Sequence, residues 1–440
     1  MRRRTAVSAV VVGGLFLVMS MAGFYTAWVD RNAGGRAVTD QPSTPVAQVD
    51  PLSASIQAAQ QRLAEVPGDH VTWAQLGAAY VEQARLTADP SFYDKAEGAF
   101  ARSVALRPEG NDAALTGQGA LANARHDFAS AAELATQALA VNPYSATAWG
   151  VLTDAYTQLG DYPGATAAVQ RMLELKPGIA SFARASYDAE LHGDLATARS
   201  ALEQSLEAAQ SPADIAFCRT YLGGLAFSVG DLEEADAQYA AGLDVVPGEP
   251  TLLLGQARVQ AARGEAEAAV QSYQSVVDAR PLPEHFIEYG EYLESLGREE
   301  DAARQFALVE TVRALFTASG VIDDLSIALF AADHGDPTTA LESAQAEFDR
   351  RQNVDAADAL AWALHSAGRD AEGLAHAQAA TSIGGRNALF LYHRGVIEAA
   401  LGLTGEARAT LTEALDTNPY FSPLHAPRAE ELLRSLGGRP

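Results

Sequence analysis

Apolar residues recur at helical spacing along most of the chain, and glycines and prolines interrupt them at regular intervals. In residues 146–177, Trp149, Leu152 and Tyr156 lie three and four positions apart, which places them on one face of a helix. Gly160 can take the left-handed conformation that ends this helix, and Asp161 can cap the next one. The pattern therefore predicts two helices joined by a tight turn, and neither helix can bury its apolar stripe alone.

The same unit repeats with a period of 34 or 35 residues. Prolines that end a second helix follow this period at Pro108, Pro143, Pro177, Pro212, Pro247 and Pro281. Turn glycines form a second, independent series at Gly160, Gly193, Gly230, Gly264, Gly297, Gly335, Gly368 and Gly402. A small residue stands five positions after each glycine, where two paired helices approach most closely. Two series with one period predict an array of stacked helix pairs.

The repeat resembles the tetratricopeptide repeat, a 34-residue helix–turn–helix unit with the pattern W-x2-L-G-x2-Y, then A-x3-F, then P. The fullest match is Trp73, Leu76, Gly77 and Tyr80, followed by Ala96, Phe100 and Pro108. The resemblance covers nearly all of residues 70–420, which is about ten repeats. It implies an all-α superhelical solenoid, and a solenoid is one continuous stack however long it grows.

Several segments depart from the repeat. Residues 52–69 contain a single amphipathic helix that we expect to cap the stack, and residues 421–440 contain a closing helix and tail. An insertion around Asp89 and Pro90 predicts a protruding loop at residues 85–92. The helix after Gly297 lacks its closing proline, so we expect it to continue through Phe316.

The first 29 residues predict a membrane anchor or a signal sequence. Arg2, Arg3 and Arg4 precede an uncharged, apolar run from Thr5 to Val29, which is long enough to span a bilayer. The arginines should stay in the cytoplasm, so the repeats should lie on the outer face of the cytoplasmic membrane. If the segment is a cleaved signal instead, the protein is secreted. Residues 30–51 are rich in Gly, Pro, Ser and Thr and predict a flexible linker.

The composition excludes several functions. The net charge is −25, and residues 1–40 contain five arginines and two aspartates, so the remainder carries about −28. This argues against binding to nucleic acid or to anionic lipid. The sequence contains no recognisable catalytic, cofactor or metal-binding motif. His-Gly-Asp occurs twice, at 192–194 and 334–336, where turn chemistry explains it better than metal binding. The single cysteine, Cys218, should be a small core residue.

The resemblance also indicates where a partner would bind. In tetratricopeptide proteins, the first helix of each pair lines a concave groove, and contacts come from its second, fifth, ninth and twelfth positions. The residues at such positions here are Tyr187, Phe217, Phe227, Arg258, Trp362 and Tyr392. Aromatic rings there would suit an extended peptide or a partner helix. The alternative is that each ring only fills space between alanine-rich helices.

These observations predict a non-catalytic scaffold that binds a partner protein in its groove, without a cofactor. Two alternatives remain open. The protein could be an accessory or regulatory subunit that binds a cell-envelope glycan through the groove aromatics. It could also be a structural rod that assembles end to end, although helices that cap both ends of the stack argue against this.

Overall fold

The computed structural model describes residues 51–439, and this part of the chain consists of α-helices joined by short connections. The predicted anchor or signal at 1–29 and the predicted linker up to residue 50 lie outside the described residues. The first eleven helices are α1 (Pro51–Glu65), α2 (His70–Thr87), α3 (Ser91–Leu106), α4 (Asp112–Ala124), α5 (Phe128–Val141), α6 (Ala146–Leu159), α7 (Tyr162–Leu175), α8 (Ile179–Leu191), α9 (Leu195–Glu207), α10 (Pro212–Ser228) and α11 (Leu232–Val245). The other eleven are α12 (Pro250–Ala262), α13 (Ala266–Ala279), α14 (Pro283–Ser295), α15 (Glu299–Ala318), α16 (Asp324–His334), α17 (Pro337–Arg350), α18 (Val354–Ser366), α19 (Asp370–Ala380), α20 (Ala388–Ala400), α21 (Thr404–Thr417) and α22 (His425–Ser435).

The helices pack as consecutive pairs. Within residues 51–439, helices α2 to α21 form ten pairs, α1 packs against α2, and α22 packs against α20 and α21. The first helix of most pairs also contacts the first helix of the next pair, as α2 does with α4 and α16 with α18. This arrangement is a solenoid, so the all-α prediction is confirmed for the described residues.

The local structure follows from the capping residues that the sequence predicts. Gly160 ends α6 with φ of 83°, in the left-handed region. The side chain of Asp161 accepts a hydrogen bond from the backbone N–H of Gly164, 3.0 Å away, and so caps α7. Asp194 caps α9 in the same way, through the backbone N–H of Thr197.

The glycine inside the first helix of the repeat has a packing role. A Cβ on Gly223 would lie 2.4 Å from the ring of Tyr239, which comes from the second helix of the same pair. Gly77 meets the ring of Phe100 at 2.6 Å in the same manner. Both rings are almost fully buried. The glycine and the aromatic residue of the repeat pattern are thus two halves of one contact, because the ring occupies the space that a side chain would need.

Two of the predicted irregularities have different outcomes. The protruding loop predicted at residues 85–92 is wrong, since α2 continues to Thr87 and α3 begins at Ser91. The inserted residues lengthen the two helices, and Ala88 makes the sharp turn in the left-handed conformation, with φ of 52°. The predicted extension of the helix after Gly297 is confirmed, because α15 runs to Ala318.

The repeats coil so tightly that distant parts of the chain come into contact. Four consecutive helix pairs, within residues 125–230, take part in these contacts. In each of them, the turn between the two helices contacts the connection that follows a later pair, within residues 319–419. The backbone N–H of Ile322 donates to the carbonyl oxygen of Arg125 at 3.1 Å, and Arg125 Nε donates to the carbonyl oxygen of Ser319 at 2.9 Å. The two ends of this contact are 194 residues apart, which is between five and six repeats of about 34 residues.

Three further contacts repeat this relationship. The backbone N–H of Val354 donates to the hydroxyl oxygen of Tyr162 at 2.9 Å. The backbone N–H of Gly385 donates to the carbonyl oxygen of Leu191 at 2.9 Å. Asn418 Nδ2 donates to the carbonyl oxygen of Phe227, also at 2.9 Å. These four contacts, between residues 125–230 and residues 319–419, form a seam that joins two successive superhelical turns.

The second seam contact also includes a buried polar cluster. Arg351 donates to the side-chain carbonyl of Gln158 across the seam and pairs with Glu347 on its own side. The guanidinium also lies 4.9 Å from the centre of the Phe128 ring. Both side chains of the Arg351–Glu347 pair are less than 5% exposed. The seam is therefore packed and hydrogen-bonded in the manner of a protein interior.

Candidate binding cavity

A cavity of about 470 Å³ lies where the two superhelical turns meet. Its first wall comes from the first helices of four pairs, α8, α10, α12 and α14. Its second wall comes from the start of α18, the connection and start of α20 at residues 383–390, and residues 418–427. Two seam contacts, Leu191 with Gly385 and Phe227 with Asn418, lie in the cavity lining. The cavity therefore depends on the closure of the seam.

Tyrosine and phenylalanine side chains dominate the cavity walls. They are Tyr187, Tyr221, Phe227, Tyr239, Tyr273, Tyr292, Phe390, Tyr420 and Phe421. Burial raises the pKa of Tyr187 well above its ordinary value, and burial raises the pKa of Tyr221 to about 12. These phenols are therefore neutral donors and acceptors at physiological pH, and their rings supply apolar surface.

Two segments of the chain match the sequence pattern of a known repeat family. The pattern described as "Tetratricopeptide repeat" matches residues 122–185, and a second pattern of the same description matches residues 222–282. These segments contain pairs whose helices, caps and packing recur along the described residues. Residues 122–185 and 222–282 are therefore tetratricopeptide repeats. Repeats of this type are generally non-catalytic and are typical of proteins that bind other proteins.

The chain also matches solved structures at low sequence identity. One is a tetratricopeptide repeat protein from Parabacteroides merdae, with 20% identity, a TM-score of 0.35 and coverage of 59% of this chain and 98% of that one. A thermophilic TPR protein from Thermus thermophilus has 20% identity, a TM-score of 0.36 and coverage of 48% and 98%. Yeast Tom70 has 10% identity, a TM-score of 0.37 and coverage of 88% and 95%. No curated protein matches the sequence.

The structure brings three of the six predicted groove residues together. Tyr187, Phe227 and Arg258 all line the cavity. Arg258 is already paired, because its Nε and Nη2 atoms donate to the two carboxylate oxygens of Glu288 at 2.7 and 2.6 Å. The hydroxyl of Tyr273 donates to the same carboxylate at 3.0 Å. The guanidinium of Arg258 therefore contributes to the wall of the cavity as one half of a neutral pair.

The other three predicted groove residues lie elsewhere. Trp362 is 1% exposed and its indole N–H donates to Asp333 at 2.9 Å, while Tyr392 is 3% exposed. The closing helix α22 covers both rings, since His425 contacts each of them. Phe217 is half-buried against the ring of Tyr221, with ring centres 4.7 Å apart. In this structure Trp362 and Tyr392 fill space in the core, which is the alternative that the sequence left open. Binding of a partner by any of the six residues stays a prediction.

Besides Glu288, which pairs with Arg258, two more carboxylates line the cavity, and none of the three was among the predicted residues. Glu190 follows Tyr187 by one helical turn on α8, and Asp355 lies at the start of α18 on the opposite wall. They occupy the twelfth and second positions of their helices, so the positional rule that points to Tyr187 also points to them. In a sequence, an acidic residue on a helix is indistinguishable from an ordinary solvated charge. Only the coiling of the solenoid shows that these two face a cavity.

The cysteine and the possible metal ligands were the other sequence features considered. Cys218 is fully buried beside the hydroxyl of Ser205, and burial raises the pKa of its thiol to about 11. Between residues 51 and 439, no cluster of His, Cys, Asp and Glu side chains is arranged to hold a metal ion. None of the helices α1 to α22 is long and apolar enough to cross a membrane.

Proposed function

We propose that this protein holds an extended segment of a partner protein in the cavity between its two superhelical turns. The observation that carries the proposal is the cavity of about 470 Å³, whose walls place Tyr187 and Phe227 opposite Phe390 and Tyr420. Cavities of 300–1,000 Å³ enclose ligands of a few side chains. The occupant is therefore a short stretch of chain rather than a folded domain.

The wall chemistry supports a peptide as the occupant. Tyrosine and phenylalanine bury large apolar areas at a low cost in conformational entropy, and the phenol hydroxyls can bond to a peptide backbone. Asn387 and Asn418 lie in the same lining and offer amide groups for such bonds. An extended segment exposes both its backbone groups and its side chains, so it can use both kinds of wall residue.

We also propose that residues 1–29 tether the repeats to the outer face of the cytoplasmic membrane. This part of the proposal rests on the sequence, in which three arginines precede an uncharged apolar run. A scaffold in that place would position its partner near the membrane. Protease treatment of intact cells tests this directly, because an outward-facing array is digested there and a cytoplasmic one is protected until the cells are lysed.

Site-specific photo-crosslinking in cells tests the cavity. A photoreactive phenylalanine analogue at Phe227, inside the cavity, should crosslink to one or a few partner proteins at a defined segment. The same analogue at Tyr144, which is 72% exposed and absent from the lining, serves as the control. Crosslinks of equal pattern at both positions, or none at Phe227, would show that the cavity does not hold a partner.

A further inference from the structure

We infer that the cavity selects a segment that carries a lysine or arginine side chain, which the carboxylates of Glu190 and Asp355 bind from opposite walls. The inference rests on the proposed function, because it names the chemistry of the peptide that the cavity holds. It assigns a role to the two acidic residues that the enclosed space brings together from α8 and α18.

The surroundings of Glu190 disfavour the charged form of its carboxylate. Among residues 51–439, its carboxylate forms neither a hydrogen bond nor an ion pair. Burial alone raises the pKa of this side chain to about 7. Glu190 is half-buried, and a charged group that has lost part of its water without gaining a partner destabilises the protein that contains it. A bound cation would remove this cost, since it supplies the missing opposite charge.

Asp355 faces the cavity from the other superhelical turn. Burial is the main cause that raises its pKa to about 6, and the charge of nearby Arg351 opposes this only in part. The guanidinium of Arg351 is engaged with Glu347 and Gln158. The Asp355 carboxylate accepts a long hydrogen bond, at 3.4 Å, from Asn353 Nδ2, and another from its own backbone N–H. Asp355 therefore keeps part of its capacity to accept bonds from a ligand.

The basic residues of the lining do not balance these two carboxylates. Arg258 is neutralised by Glu288 through two short hydrogen bonds. Arg386 has a side chain that is 70% exposed and lies 3.6 Å from Glu413, so its charge is screened by water. The interior of the cavity is consequently negative. Coulomb attraction favours a cationic side chain there, and it disfavours an acidic one by a similar amount.

An aromatic residue near both carboxylates, Tyr187, fits the same ligand. The charges of Asp355 and Glu190 both raise the pKa of Tyr187, so its ring lies within electrostatic reach of each. The face of an aromatic ring attracts ammonium and guanidinium groups, and attracts them more strongly where water is excluded. A long basic side chain can also lay its methylene groups along such a ring. The cavity therefore offers charge, ring face and apolar contact to one side chain.

Fluorescence anisotropy of the full-length protein with labelled decapeptide pools tests this inference. Four pools carry arginine, lysine, glutamine or glutamate at one fixed central position, with apolar and small residues elsewhere. We expect the arginine and lysine pools to bind at least tenfold more tightly than the glutamine pool, and the glutamate pool to bind most weakly. In the variant E190Q/D355N this preference should disappear while the glutamine pool binds as before.

The control variant is Glu203→Gln, which removes an exposed carboxylate from α9 in the same repeat. It should keep the preference for basic pools. If all four pools bind equally to the unaltered protein, the cavity holds peptides without selecting a cation, so the inference fails and the proposed function stands. If no pool binds, both fail. A preference for the basic pools that survives in E190Q/D355N places the selecting charge elsewhere and also overturns the inference.

Discussion

The substitution Gly193→Ala tests whether the seam holds the two superhelical turns together. Gly193 ends α8 with φ of 79°, and a Cβ there would lie 2.4 Å from the carbonyl oxygen of Gly384 across the seam. Gly264 ends α12 with φ of 73°, and a Cβ there would meet nothing within 4 Å. The two glycines occupy the same turn of the repeat and differ only in their surroundings.

The expected difference can be worked from these contacts. Both alanine variants carry the cost of a left-handed residue with a side chain, about 1–2 kcal/mol. In Gly193→Ala alone, the backbone at this turn must also move about 1 Å away from the backbone of Gly384, because carbon and oxygen atoms rarely approach closer than about 3.4 Å. That movement breaks the hydrogen bond from the Gly385 N–H to the Leu191 carbonyl, at a net cost of about 0.5–1.5 kcal/mol. Gly193→Ala should therefore be the less stable variant by about 1 kcal/mol.

Hydrogen exchange is the appropriate assay, because long repeat arrays need not unfold as one cooperative unit. In Gly193→Ala the amide of Gly385 should lose its protection, and exchange should rise about tenfold for each 1.4 kcal/mol lost. Gly264→Ala should leave that amide unchanged. Small-angle scattering should also show a larger radius of gyration for Gly193→Ala alone. Equal exchange at Gly385 and equal dimensions in the two variants would refute the seam as a closing contact.

Three further predictions concern single side chains. Trp362→Ala should lower the free energy of opening of α18 by about 3–5 kcal/mol, measured by hydrogen exchange of its amides, because the ring is fully buried; a change below 1 kcal/mol would mean that the ring is not core. Arg258→Ala should cost about 3–5 kcal/mol because it leaves Glu288 buried and unpaired, whereas replacing both residues with leucine should largely restore the melting temperature. The pKa of Glu190 is about 7 against an ordinary 4.5, so the unaltered protein loses stability as the pH rises through this range. Glu190→Gln should therefore be more stable above pH 7, by at most about 3 kcal/mol, and equal below pH 4.5; a difference that does not change with pH would contradict the burial of this carboxylate.

The hairpins could be predicted from the sequence because the residues that determine them lie close together in the chain. Gly160 and Asp161 define one turn through their own backbone geometry and capping, and the proline series marks the period. The seam could not be predicted in this way. Leu191 and Gly385 meet 194 residues apart, and their contact depends on a small rotation per repeat that accumulates over five to six repeats.

The candidate site could be predicted only in part for the same reason, because it depends on contacts between residues that are far apart in the chain. Gly193 and Gly264 are equivalent in the repeat pattern, yet only one meets another part of the backbone. Trp362 and Tyr392 were expected in an open groove, but the closing helix α22 covers them. Tyr187 lines the cavity, and its place on α8 could be read from its position within one helix, while its role in binding stays a prediction. What closes over a concave face is decided by the superhelix as a whole.

Seam and cavity together connect stability with binding. Leu191 and Gly385 belong to both, so a change that opens the seam must also separate the walls that hold Glu190 and Asp355. A ligand that bridges these two carboxylates adds a contact between the two turns. By linkage it stabilises the closed seam by an amount set by its concentration and by its preference for the closed over the open state. Peptides of the basic pools should therefore slow exchange at the Gly385 amide in the unaltered protein. They should bind more weakly to Gly193→Ala than to Gly264→Ala, and equal binding to both would show that the cavity does not depend on seam closure.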